Sequence, residues 1–123
     1  MAAVRALLVE DDFLVRLSLA DALRDEGFEV IDVPDGDEAA AWIDGPDGFN
    51  LLLTDIQIPG KMNGIGVALH ARNRDPGIPV VVVTGRPEGV SGLEDLQPPA
   101  VFIRKPYAPA ELLAAARRLV GNP

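Results

Sequence analysis

Residues 51–60 read LLLTDIQIPG: three leucines and a threonine run straight into Asp55, and Pro59-Gly60 ends the segment. An apolar run this short, closed by Pro-Gly, predicts a fully buried strand followed by a loop. Asp55 then falls at or just past the strand's C-terminal end. In an open parallel α/β sheet that edge is where ligands bind.

Working outward, the same alternation recurs. Residues 3–9 (AVRALLV) predict a first strand that ends in three acids, Glu10, Asp11 and Asp12. Residues 13–26 carry Phe13, Leu17, Ala20 and Leu23 at helical spacing, with Gly27 as the stop. Asp12 reads as the N-cap of this helix. Residues 28–33 (FEVIDV) alternate and predict the second strand, followed by the turn signal Pro34-Asp35-Gly36. Residues 37–43 predict the second helix, with acids in its first turn, and Gly45-Pro46-Asp47-Gly48 breaks the chain. After the central strand at 51–54 and a loop at 57–63, residues 64–74 predict the third helix. Residues 80–84 (VVVVT) have no polar face, as expected of a strand covered on both sides. Residues 100–103 predict the fifth strand, and residues 108–120 a final helix with Pro109 at its start and Arg117-Arg118 near its end. Between the last two strands, residues 85–99 hold Pro87, Gly89, Gly92, Pro98 and Pro99, which predicts at most a short helix around 92–96. The sum is an α/β chain of (βα)₅ type: a doubly wound, five-stranded parallel sheet with helices on both faces and a short or irregular fourth helix. Order 2-1-3-4-5 is the common solution for a sheet of this size.

The totals narrow the function. At 123 residues the chain fits one domain, residues 1–123, and its 48 % hydrophobic content excludes a disordered chain. No apolar run approaches a membrane span and no signal-peptide core is present, so a cytoplasmic location is the default. With no cysteine there is no disulfide framework or thiolate metal site. A net charge of −8 opposes direct binding to nucleic acid or to an anionic membrane. Only two residues are lysine, Lys61 and Lys105, against nine arginines, so each lysine is the rarer choice.

In this topology the strands' C-terminal ends share one edge. The first strand delivers Glu10 and Asp11 there, the third Asp55, the fourth Thr84 and the fifth Lys105. Two carboxylates about 4 Å apart repel by about 4 kcal/mol at an effective dielectric of 20. Either their pKa values rise or a cation binds. A hard divalent ion that keeps several waters answers this, which points to Mg²⁺. Mg²⁺ and Lys105 together neutralise a transferred phosphoryl group, and Thr84 offers it a hydroxyl donor. Asp55 is therefore read as a carboxylate nucleophile that accepts a phosphoryl group.

Four motifs now resemble a known family: LLVEDD at 7–12, LLLTDIQIPG at 51–60, VVVTG at 81–85 and FIRKPY at 102–107. Together they are similar to the receiver domain of two-component response regulators, over essentially the whole chain. The bacterial chemotaxis regulator of that family is the type example of strand order 2-1-3-4-5, so the order here is carried over from it. The resemblance implies that Asp55 is the phosphoacceptor. It implies that Asp11 is a direct Mg²⁺ ligand, that Glu10 acts through water, and that Gln57 supplies a backbone carbonyl. It further implies that Thr84 is the switch hydroxyl, Lys105 the phosphate lysine, Lys105-Pro106 a cis peptide, and Phe102 the aromatic whose rotamer follows Thr84. The partners it implies are a histidine kinase or phosphotransfer protein, an unidentified downstream protein, and a second copy in a phosphorylation-dependent dimer.

Two features depart from the family pattern. The loop IPGKMNG is one residue longer than the common version and carries Asn63 where Asp is frequent. The Gly/Pro-rich stretch 85–99 replaces a regular fourth helix on the usual partner surface. Two other functions fit less well. A phosphatase with an aspartate nucleophile needs a second acid two residues on, where this chain has Gln57. A nucleotide or flavin binder needs a glycine-rich turn after the first strand, where it has three acids. His70, Trp42 and Arg117-Arg118 read as structural: a boundary histidine, a packing residue and a solvated helix end.

Overall fold

The computed structural model of the chain describes residues 3–85 and 92–121. Five strands, β1 (Arg5–Val9), β2 (Glu29–Val33), β3 (Leu51–Asp55), β4 (Val80–Thr84) and β5 (Val101–Arg104), alternate with α1 (Phe13–Asp25), α2 (Gly36–Asp44) and α3 (Gly64–Arg74), and α4 (Pro109–Val120) follows β5. All pairings are parallel and the order is β2-β1-β3-β4-β5, as the sequence predicts. Every residue of β3 and β4 is buried, which explains their unbroken apolar runs.

Strand alternation divides the core in two. Leu7, Val9, Leu52, Val80 and Val82 face α2 and α3, together with Ala39, Ile43, Val67 and Ala68. Ala6, Leu8, Leu51, Leu53, Val81, Val83 and Ile103 face α1 and α4, together with Leu19, Leu23, Leu112 and Ala116. Trp42 is half-buried against the first layer. Asp12, Asp35 and Asn63 cap α1, α2 and α3 with their side chains.

The predicted buried face of α1 needs correction. Leu19, Ala20 and Leu23 are buried, but Phe13 is 62 % and Leu17 45 % exposed. Leu17 is turned off the stripe that Leu19, Ala20 and Leu23 define. Phe13 sits on the first turn, at the sheet's edge, with the Arg16 guanidinium 5.5 Å above its ring. Helical spacing finds a face but not the point at which the sheet beneath it stops. Arg117 is likewise more than a solvated end, since it pairs with Glu26 at 3.1 Å and ties α4 to α1. His70 Nε2 meets Asp44 Oδ1 at 2.7 Å between α3 and α2.

Between β4 and β5, residues 92–96 form turns around the buried Leu93 and not the short helix allowed for them. The rest of the predicted irregular stretch, residues 86–91, lies outside the described residues. No helix of the described chain is long and apolar enough to cross a membrane.

Candidate functional site

β1 ends at Val9, so Glu10, Asp11 and Asp12 emerge at the sheet's C-terminal edge, while β3 ends on Asp55 itself. Glu10, Asp11, Asp55, Gln57, Lys105 and Pro106 line one open cleft of about 910 Å³. Its other wall is Leu14, Val15, Ser18 and Leu19 of α1, with Tyr107 and Pro109 leading into α4. Residues as far apart in sequence as Glu10 and Lys105 are thus brought together by the parallel order of the strands.

Asp55 is buried, and both of its oxygens are engaged. Oδ1 accepts the Gln57 backbone N–H at 3.1 Å, and Oδ2 accepts from the Lys105 ammonium. Thr84 ends β4 one strand over, where Asp55 lies opposite Val83. It too is buried, and its carbonyl accepts the Lys105 backbone N–H at 2.8 Å. Thr84 does not line the cleft, and neither does Phe102, which pairs with Val82 and is 40 % exposed. Alternation puts Thr84 and Phe102 on the sheet face shared with α2 and α3. The Lys105–Pro106 peptide is cis, and so is Gln97–Pro98, which nothing in the sequence singled out.

The β1–α1 turn is held in place from several sides. The Glu10 N–H donates to Val33 O at 3.1 Å, and the Arg16 guanidinium donates to Glu10 O at 2.9 Å and to Asp32 on β2 at 3.2 Å. Sequence reading passed over Arg16, and also Tyr107, which follows the Lys-Pro pair directly. Burial, with Glu10 and Asp55 nearby, pushes the Tyr107 hydroxyl up to about 12, so it stays protonated beside the acids.

Burial raises the Glu10 carboxyl to about 7. The Asp12 N–H opposes this, while the charge of Asp55 and a hydrogen bond to it add to it. Burial alone would lower Lys105, but its hydrogen bond to Asp55 and the charges of Asp55, Glu10 and Asp11 hold it above the usual lysine value. The cleft therefore carries more negative charge than one ammonium offsets, and a proton on Glu10 takes up part of the rest. Among the described residues no three His, Cys, Asp or Glu side chains converge into a ready-made metal cage. The donors present are carboxylate oxygens and a nearby backbone carbonyl on an open cleft. This set fits a hard cation that retains several waters.

A pH dependence follows. Glu10 has its folded-state pKa raised from 4.5 to about 7. The stability its proton contributes is complete below the unfolded value and is lost as pH rises through the folded one. In buffer with chelator, the melting temperature should fall as pH rises from roughly 4.5 to 7. In Glu10→Gln, which cannot ionise, that slope should flatten. Parallel slopes for the two proteins in calorimetric scans would refute the assignment.

Comparison with known proteins agrees with this geometry. A family model described as the response regulator receiver domain matches residues 6–117. The sensory transduction protein RegX3 of Mycobacterium tuberculosis is 36 % identical over 115 residues, covering 93 % of this chain and 49 % of RegX3. The chain thus spans about half the length of the curated relatives it matches. A response regulator receiver protein from Sinorhizobium medicae superposes with a TM-score of 0.85 at 31 % identity, covering 95 % of this chain and 94 % of that one. The response regulator TrrA of Thermotoga maritima, solved in complex with Mg²⁺-BeF, gives 0.80 at 25 % identity, covering 95 % and 99 %. With the family pattern matched across most of its length, on a sheet of the expected order that closes around an acid-lined cleft, the chain belongs to the response regulator receiver domain family.

Proposed function

We propose that this chain is the phosphoacceptor switch of a two-component phosphorelay, with Asp55 as the residue that carries the phosphoryl group. The observation that carries this reading is the buried Asp55 carboxylate held by the Lys105 ammonium, with Glu10, Asp11 and Gln57 on the same cleft. An Asp55 oxygen attacks phosphorus of a phosphohistidine on a kinase or phosphotransfer protein. The phosphorus–nitrogen bond breaks and its electron pair returns to the donor imidazole. Lys105 shifts its ammonium from the carboxylate to a phosphoryl oxygen, and Thr84 moves toward the group so that its hydroxyl donates to another. Phe102 follows Thr84, which remodels the β4–β5 face for a downstream partner or a second copy. Asp11, Asp55 and the Gln57 carbonyl, with Glu10 through water, would hold Mg²⁺, which when bound would neutralise charge on the phosphoryl oxygens. The chain assists its own phosphorylation and dephosphorylation, but the output is a signal and not turnover.

The donor's seat is supported by the apolar surface beside the cleft. Phe13, Leu14, Val15 and Leu17 are 38–73 % exposed, and Leu14 and Val15 also form the cleft wall. Exposed apolar side chains grouped at one helix end mark a contact surface. Incubation with acetyl phosphate and Mg²⁺ should add one phosphoryl mass, and chelation of Mg²⁺ should prevent it. An unchanged mass with several small phosphodonors would sink the proposal.

A further inference from the structure

The loop after Asp55 takes its path from α2, an element that contributes no residue to the cleft. The Gly36 N–H, at the start of α2, donates to Pro59 O at 3.1 Å. The Asp37 carboxylate accepts the Lys61 N–H at 3.1 Å. Asp37 is not needed as the helix cap, because Asp35 Oδ1 already accepts the Glu38 N–H at 2.8 Å. Glycines let the loop come this close. A Cβ on Gly36 would lie 1.9 Å from Met62 O. Gly60 has φ +108°, and its Cβ would meet the Asp37 carboxylate at 3.2 Å. Loop and helix end are therefore in direct contact along residues 59–62. The far end of the loop is tied back to the residue after β3 by the Gly64 N–H, which donates to Ile56 O at 2.8 Å.

We propose that the amino-terminal turn of α2 braces the loop that follows Asp55, and that Asp37 is a positioning residue for the phosphoryl site. The inference rests on the proposed function, because what the brace positions is the Gln57 carbonyl and the Gln57 N–H that donates to Asp55 Oδ1. Without the Asp37 acceptor the Lys61 amide turns to water, and the loop samples paths that move Gln57 off the cleft. The competing role for Asp37 is charge at a helix N-terminus, where any acid is favoured. The two roles separate chemically. An asparagine keeps an acceptor oxygen but loses the charge, whereas an alanine loses both.

The experiment is a Mg²⁺ titration of the whole chain followed by amide NMR shifts at Gln57 and Asp11, together with hydrogen exchange at Lys61. One lost hydrogen bond predicts about fivefold weaker Mg²⁺ binding and about fivefold faster Lys61 exchange in Asp37→Ala. Asp37→Asn should match the wild type in both. Wild-type Mg²⁺ affinity in Asp37→Ala would overturn the brace. So would an Asp37→Asn weakened as much as the alanine variant, which would assign the effect to helix-end charge. A wild type that shows no shift with Mg²⁺ would overturn the metal-dependent site and this inference with it.

Discussion

Asp55→Asn should accept no phosphoryl group from acetyl phosphate under conditions that fully label the wild type. It should nevertheless remain folded. Asparagine has nearly the same shape as aspartate, and its Oδ1 keeps the Gln57 N–H bond that the wild type makes at 3.1 Å. What it loses is the anionic oxygen that attacks phosphorus, for which an amide is no substitute. The loss in labelling should therefore be complete, with intact-protein mass as the readout. A second signature distinguishes this from general damage to the cleft. The Asp55 charge and hydrogen bond help to raise Glu10, with burial the larger cause. Removing that charge should bring the Glu10 carboxyl down and make the loss of stability with rising pH shallower. Labelling that persists in Asp55→Asn would move the acceptor to another residue. A pH–stability curve identical to the wild type would mean that Glu10 and Asp55 do not share a site.

Gly64→Ala should be strongly destabilising, because the added methyl group meets backbone on more than one side. A Cβ there would sit 2.0 Å from Asp55 O and 2.6 Å from Ile56 Cα, both backbone atoms at the end of β3. No side chain can rotate out of the way, so α3 must lift off the strand that carries the phosphoacceptor. Overpacking of this kind costs about 3 kcal/mol. In a chain of this length that lowers the melting temperature by on the order of 10 °C. Gly48→Ala is the matched control, because nothing lies within 4 Å of its Cβ. It should be neutral, or stabilising by about 0.5 kcal/mol through the unfolded chain. Equal melting temperatures for the two variants would show that α3 does not approach β3 as closely as described.

Much of this molecule is legible in its sequence because strands and helices write their periods locally. The bounds of α3 and β4 match the sequence reading to the residue, and the other strands and helices that form differ by one or two residues at one or both ends. The residues at the strand ends were legible for a related reason. Once the sheet is parallel, the residue after each apolar run must emerge at one edge, which is how Glu10, Asp11, Asp55 and Lys105 could be grouped in advance. The misses have a common cause. Phe13 and Leu17 have helical spacing but lie outside the buried stripe, and spacing does not register where the sheet ends. Nothing in the sequence singles out Arg72. It is buried, with its Nε donating to Ile78 O at 2.6 Å, and both terminal guanidinium nitrogens lack a partner.

By itself the sequence determined which residues are apolar, at what period, and where each run stops. Those are properties of neighbours along the chain, and they suffice for the elements, the parallel sheet and the set of groups at its edge. Only the tertiary structure decided which of those groups share a cleft, leaving Thr84 and Phe102 outside it. It also decided that Glu10 stays protonated up to about 7 and that α2 reaches the loop after Asp55 through Asp37. Burial, Coulomb energy and hydrogen bonding depend on separations in space of a few ångströms. Separation along the chain does not encode them.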